Sequence, residues 1–203
     1  MTETPTPGTR ERLIAAMTDA LRRRGLHGIG LTELLAQAGA PKGVLYHHFP
    51  GGKTELAVAA IDDVVARMLR GLDALLASTP DPIEATRRWM AGATARLSDT
   101  GFESGCPLAT VALESTPEDP ALREALARAF ATLRERIALA LEQHGEPRAQ
   151  AQGIAALIVA TYEGGLLQAR VAQSSDPINL ATQTLLSLLA ARGPTAPRTG
   201  EPS

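Results

Sequence analysis

The chain has 203 residues, is 44% hydrophobic but only 3% aromatic, and carries a formal net charge of −2. Its one cysteine, Cys106, excludes an intrachain disulfide, and the adjacent His47 and His48 cannot converge on one metal from a helix face, so neither a structural zinc site nor a cofactor is expected. No apolar run reaches membrane-spanning length and the opening MTETPTPGTRER lacks an apolar signal core, so a cytoplasmic protein without a membrane partner is expected.

Residues 1–9, rich in Thr and Pro, are expected to be disordered. From Arg10, apolar residues recur at helical spacing (Leu13, Ile14, Met17, Ala20, Leu21), and the helix stops at RRRG, basic residues before a glycine. GLHGIG reads as a turn, and a short helix follows over about residues 31–38. Gly39 breaks it, and Pro41 is placed as the first residue of the next helix, 41–49. Pro50-Gly51-Gly52 interrupts again, and a long amphipathic helix is predicted over about 53–77. Two short helices joined by a tight Gly-containing turn have the layout of a helix-turn-helix.

Further on, a helix containing Trp89 and Met90 ends near Ser98, and GFESGCP reads as a loop. Helices are then predicted over about 108–114, 120–144, 147–172 and 177–192, and RGPTAPRTGEPS is a frayed tail. No strand-like alternation and no internal repeat is present, so the expected fold is all-α with about nine helices. The expected division is a disordered 1–9, a helix-turn-helix unit 10–52, a larger helical unit 53–192, and a disordered 193–203. Charge is mildly segregated: residues 1–60 hold seven Lys/Arg against five Asp/Glu, and 61–203 hold thirteen against seventeen.

The stretch PKGVLYHHFPGGK concentrates the rare side chains: both lysines of the chain, two of its four histidines and two of its six aromatics. On a helical wheel Leu45 and Phe49 fall together as core anchors, and Gly43, Val44 and His47 fall opposite. Tyr46 and His48 flank the core face, and Lys42 stands at the free end. A flat outer face with polar flanks suits a helix in the DNA major groove, approaching base edges and both phosphate walls. Lys53, at the start of the next helix, adds a charge to a helix N-terminus that favours an anion.

GAPKGVLYHHFPGGK resembles the helix-turn-helix signature of the TetR family of bacterial repressors, over about residues 10–60. GAPKG, FPGGK, SGCPLATVALE and EGGLLQAR are similar to the subgroup that includes lincomycin-resistance repressors. The resemblance implies that Lys42, Gly43, Val44 and His47 lie near base edges or adjacent phosphates. It implies that Tyr46, His48 and Lys53 hold the backbone, and that Thr32 faces DNA. Gly30 stands where relatives commonly cap the second helix with Thr, Val44 replaces a frequent Thr, and FPGGK is one residue longer than the usual loop.

Beyond the helix-turn-helix, the resemblance implies a homodimer formed through the last helices. It also implies a repressor that leaves its palindromic operator when a small-molecule effector binds. Trp89, Phe102, Phe130 and Tyr162 are candidates to line the pocket for a small, largely apolar ligand, with core filling as the alternative for each. Cys106 reads as a buried thiol or a site for thiol reagents, and Glu163, like Glu114, as a ligand contact or a core partner. Gly164-Gly165 within a helix points to close packing or to room for a ligand. Two other readings remain open: a constitutive DNA-binding regulator, and a helical small-molecule-binding protein. An enzyme is not expected; the GGKT of a phosphate-binding loop has His47 where the motif needs glycine.

Overall fold

A computed structural model describes residues 8–191. The expected disordered ends lie outside these residues, except that Gly8 caps the first helix and Thr9 begins it. Among the described residues the chain forms nine helices and no strand: α1 (Thr9–Arg24), α2 (Leu31–Gln37), α3 (Lys42–His48), α4 (Gly52–Ser78), α5 (Pro82–Asp99), α6 (Pro107–Glu114), α7 (Pro120–Gln143), α8 (Arg148–Ala172) and α9 (Asp176–Ala190).

The helix starts follow local chemistry. α5, α6, α7 and α9 each begin with proline in the first turn, where its missing N–H costs nothing. The Asp81 side chain caps α5 by accepting from Ile83 N at 2.9 Å. Pro41 departs from expectation: it is the extended N-cap of α3, and Lys42 is the first helical residue. Gly25 and Gly39, in the left-handed region at φ +76° and +57°, end the segments before α2 and α3.

α1, α2 and α3 close around Leu13, Met17, Leu34, Leu45 and Phe49, all nearly inaccessible. The long α4 packs on α1 at one end and on α5 and α7 further along, so it is shared by both parts of the chain. α7, α8 and α9 form the far layer, with α5 against α8 and α9. α8 is long and apolar enough, by length and composition, to cross a membrane, which reading uninterrupted apolar runs missed. It packs between α7 and α9 with Ile154, Ile158, Tyr162 and Leu166 buried, as a core helix does.

The two glycines of α8 have different surroundings. A Cβ on Gly165 would stand 2.8 Å from Ile178 Cγ1, so this glycine permits the α8–α9 contact. Gly164 faces open space. Within the chain one side of α9 is buried, with Ile178 and Leu185 inside and Leu180 and Leu188 exposed.

Candidate functional site

The first constellation is the outer face of α2 and α3. Arg12 of α1 donates through Nε to Ala38 O at 3.2 Å, and Ala40 N bonds Leu35 O at 3.0 Å, which holds the turn between the two helices. With Leu45 and Phe49 buried, Lys42, Gly43, Tyr46 and His47 are exposed, Val44 and His48 are half-buried, and Thr32 is exposed on α2. The rings of His47 and His48 meet edge to face at 5.1 Å. Tyr46 lies over Gly52, where an added Cβ would touch its ring at 3.4 Å, and it remains 46% exposed.

Electrostatics on this face favour an anion. α3 has no acidic residue in its first turn. Glu33, beside Thr32, is neutralised by Arg24, which donates to both carboxylate oxygens at 2.7 and 3.2 Å and holds the carboxyl below its usual range. Arg10 sits 5.3 Å over the Phe49 ring, adding a cation near the edge of α3 that the sequence reading did not select.

Lys53 needs correction. Its amine turns inward and donates to Leu26 O and Ile29 O, both at 2.6 Å, so it holds the α1–α2 loop instead of presenting its charge to a phosphate. Partial burial lowers its pKa, and the Glu114 carboxylate opposes that shift. α4 starts one residue earlier than expected, at Gly52 with φ +68°, and Glu55 reaches back to Gly51 N at 2.6 Å.

The second constellation is a cavity of about 290 Å³ between α1, α4, α5, α8 and the loop before α6. Tyr162 lines it, and Trp89 stacks behind Tyr162 with ring centroids 4.4 Å apart and planes 20° off parallel. Cys106, buried at the N-cap of α6, lines the same cavity and donates through Sγ to Glu163 Oε1 at 3.2 Å. Burial, then the facing Glu163 charge, pushes the Cys106 thiol well up, so it is a protonated thiol. Burial raises Glu163 to about 7, and its Oε2 is buried with no hydrogen-bond partner among the described residues. Glu163 itself faces a smaller cavity of about 200 Å³ on the other side of Cys106, shared with Leu113 and Arg170.

Of the aromatic candidates, only Tyr162 meets the main cavity. Trp89 supports it from behind, whereas Phe102 and Phe130 pack half-buried against the core and line neither cavity. Phe102 is carried away in a loop where it follows Gly101, both in the left-handed region. The sequence reading missed Arg22 and Arg96, which line the main cavity with Asp99. Their register carried a signal: Arg22 lies one turn beyond the buried Thr18, and Arg96 continues the spacing of Trp89 and Ala93. The aliphatic wall comes from Val64, Met68, Leu97 and Leu166.

Residues 13–60 match the family described as bacterial regulatory proteins, tetR family. Residues 82–184, just over half of the chain, match the family described as transcriptional regulator LmrA/YxaF-like, C-terminal domain. The chain belongs to the TetR family of DNA-binding transcriptional regulators.

Similar relatives agree with this membership. An uncharacterised HTH-type transcriptional regulator of Mycobacterium tuberculosis is 33% identical over 195 residues, 92% of this chain and 97% of that one. The HTH-type transcriptional regulator LmrA of Bacillus subtilis is 29% identical over 170 residues, 84% of this chain and 90% of its own. Among solved structures, the reduced form of Escherichia coli NemR superposes with a TM-score of 0.75 at 29% identity, covering 87% of this chain and 94% of that chain. The TetR family regulator CifR, solved with a 26-bp double-strand operator DNA, shares the fold at a TM-score of 0.75 and 20% identity, covering 91% of this chain and 98% of that chain.

In this TetR-family chain α6 connects the two constellations. Its first end carries Cys106 into the cavity, and its last residue, Glu114, accepts from Leu26 N at 2.5 Å in the α1–α2 loop. A side chain at Gly25 would collide with that carboxylate. Lys53 grips the same loop through its carbonyls, so one loop is held by α4 and α6 together. Replacing Glu114 by Ala strands the N–H of buried Leu26 and is expected to cost about 1–3 kcal/mol, whereas Gln keeps an acceptor and costs less. Thermal melting of the two variants checks this; equal melting of both with the parent chain would show that the contact contributes nothing to stability.

Proposed function

We propose that the chain is a ligand-responsive transcriptional repressor acting in the cytoplasm as a homodimer on a palindromic operator. In this reading Lys42, Gly43, Val44 and His47 meet base edges and adjacent phosphates, Tyr46 and His48 hold the backbone, and Thr32 approaches from α2. Lys53 acts behind them by fixing the loop that carries α2. The observation that carries the reading is the pairing of this exposed face with a cavity that α1 itself helps to line. A constitutive DNA-binding regulator has no use for the cavity, and a plain ligand carrier has no use for the α3 face. NemR is described as a repressor and CifR is seen on operator DNA, which supports the same reading.

The dimer is supported by one side of the α8–α9 pair. Leu157, Leu167, Val171, Leu180 and Leu188 are 48–81% exposed, an apolar surface that an isolated chain would leave in water. Gly164 lies on the Leu157 side of α8 with open space before it, which allows a partner helix to approach closely. A two-fold pair through this surface presents two α3 helices to successive major grooves. Gly164→Leu together with Leu180→Glu is expected to give monomers in sedimentation at micromolar concentration and to weaken operator binding. An unchanged dimer would exclude this surface.

The effector is expected to be small and largely apolar, and the cavity joins an aliphatic wall to two guanidinium groups. Binding there shifts the operator equilibrium only if the effector prefers the conformer that fits DNA less well. The test is to screen compounds for a rise in melting temperature and then for release of labelled operator. Stabilising compounds that bind the cavity yet leave the operator bound would contradict ligand control.

A further inference from the structure

We infer that the effector of the main cavity is an organic monoanion, an apolar body bearing one carboxylate that bridges Arg22 of α1 and Arg96 of α5. This rests on the reading of the cavity as the effector site and names the chemistry it selects. Three charged side chains line the cavity, Arg22, Arg96 and Asp99, and they leave one net positive charge. Arg22 is half-buried and has no carboxylate within ion-pair distance among the described residues. Desolvation, then the neighbouring Arg67, lowers its pKa, which is the signature of a cation held without a counter-charge.

The other charges nearby do not fill that role. Asp63 is taken by Arg67, and Arg96, itself exposed, lines the cavity with Tyr162, whose hydroxyl pKa burial raises well above its ordinary value. Asp99 lies exposed and in no ion pair with either arginine. The larger groove between α5 and α9, about 470 Å³, shows the contrast: its Arg87 is already paired with Glu84 at 2.6 Å. A guanidinium binds a carboxylate through two parallel N–H donors, and a partly desolvated pair is stronger than one in water. Val64, Met68, Leu97 and Leu166 then receive the apolar body.

The location ties such a ligand to the DNA-binding helices. Arg22 is in the last turn of α1, and its carbonyl accepts from Gly105 N at 3.2 Å, next to Cys106. An anion clamping Arg22 to Arg96 therefore draws α1 toward α5 and toward the start of α6.

The experiment uses the full-length chain with acid and amide pairs of matched shape: 3-phenylpropionate against 3-phenylpropionamide, and octanoate against octanamide. Calorimetry measures binding and a mobility shift measures release of the operator. The acids are expected to bind at least about tenfold more tightly than their amides, equivalent to about 1.4 kcal/mol. Arg22→Gln and Arg96→Gln should each shrink that preference, with the melting temperature of the ligand-free variants as the check on folding. If a variant does not fold, the acid and amide comparison in the parent chain still decides. Amides that bind as well as acids overturn the anionic effector and leave ligand control standing. The same holds if extract fractions from the host release the operator while no acid does. If neither acids nor extract fractions release it, both the anionic effector and ligand control fall.

Discussion

Replacing Gly43 by Glu is expected to weaken operator binding by about 100-fold or more while leaving the fold intact. Gly43 is in the first turn of α3, exposed, and a Cβ there meets nothing within 4 Å. Within the chain the substitution is therefore free of clashes. Its local effect is favourable: a glycine leaves a helix, gaining about 0.5 kcal/mol, and a carboxylate arrives near a helix N-terminus. Against DNA both changes are adverse. The longer side chain holds α3 away from the groove floor, and its charge repels phosphate on a face where Glu33 is already neutralised by Arg24. Melting temperature and operator affinity should thus move apart, with the first unchanged or slightly raised. Parent-like affinity in a mobility shift would show that α3 does not approach DNA through Gly43.

Replacing Glu163 by Gln is expected to remove most of a pH dependence of stability worth about 3 kcal/mol. Burial lifts this carboxyl from 4.5 to about 7, partly opposed by the Cys106 thiol that donates to it. Below about pH 4.5 the group is protonated in the folded and unfolded chains alike, and the stability is fully present. As pH rises toward 7 the unfolded chain ionises freely while the folded one resists, so stability falls through that interval and then levels. The glutamine amide copies the shape of the protonated acid and cannot ionise, so the variant's curve should be flat there. Urea midpoints at about pH 4 should nearly coincide, and at about pH 8 the variant should be the more stable. Parallel curves would mean that the carboxyl is hydrated in the folded chain.

Much of the architecture was legible because punctuation in this chain is local. Gly25, Gly39 and the prolines 82, 107, 120 and 177 mark helix ends by their own backbone limits, and the expected boundaries differ from the observed ones by one or two residues. The α3 face was legible for the same reason: the wheel positions of Leu45 and Phe49 determine which neighbours are left outside. What escaped is non-local. Lys53 looked like a phosphate contact because nothing near it in the chain announces two carbonyls 24 and 27 residues away. Phe102 and Phe130 were chosen for rarity, yet a loop turn and a different helix take them out of the cavity. Arg22 was read as part of a basic helix end because its role depends on α5 standing opposite. Rarity pointed to Tyr162 and Cys106, but pairing between helices decided that Glu163 faces the thiol and that Trp89 backs the tyrosine.

The central claim is that α3 reads DNA in a two-fold dimer. Its most direct test is selection of bound fragments from sheared host DNA by the full-length chain, with a Tyr46→Ala, His47→Ala double variant alongside. Both positions are exposed, so the variant should melt near the parent temperature. Enrichment of one palindromic sequence by the parent chain, lost in the folded variant, is the predicted result. Equal enrichment by both proteins, or a selected site without two-fold symmetry, would contradict it.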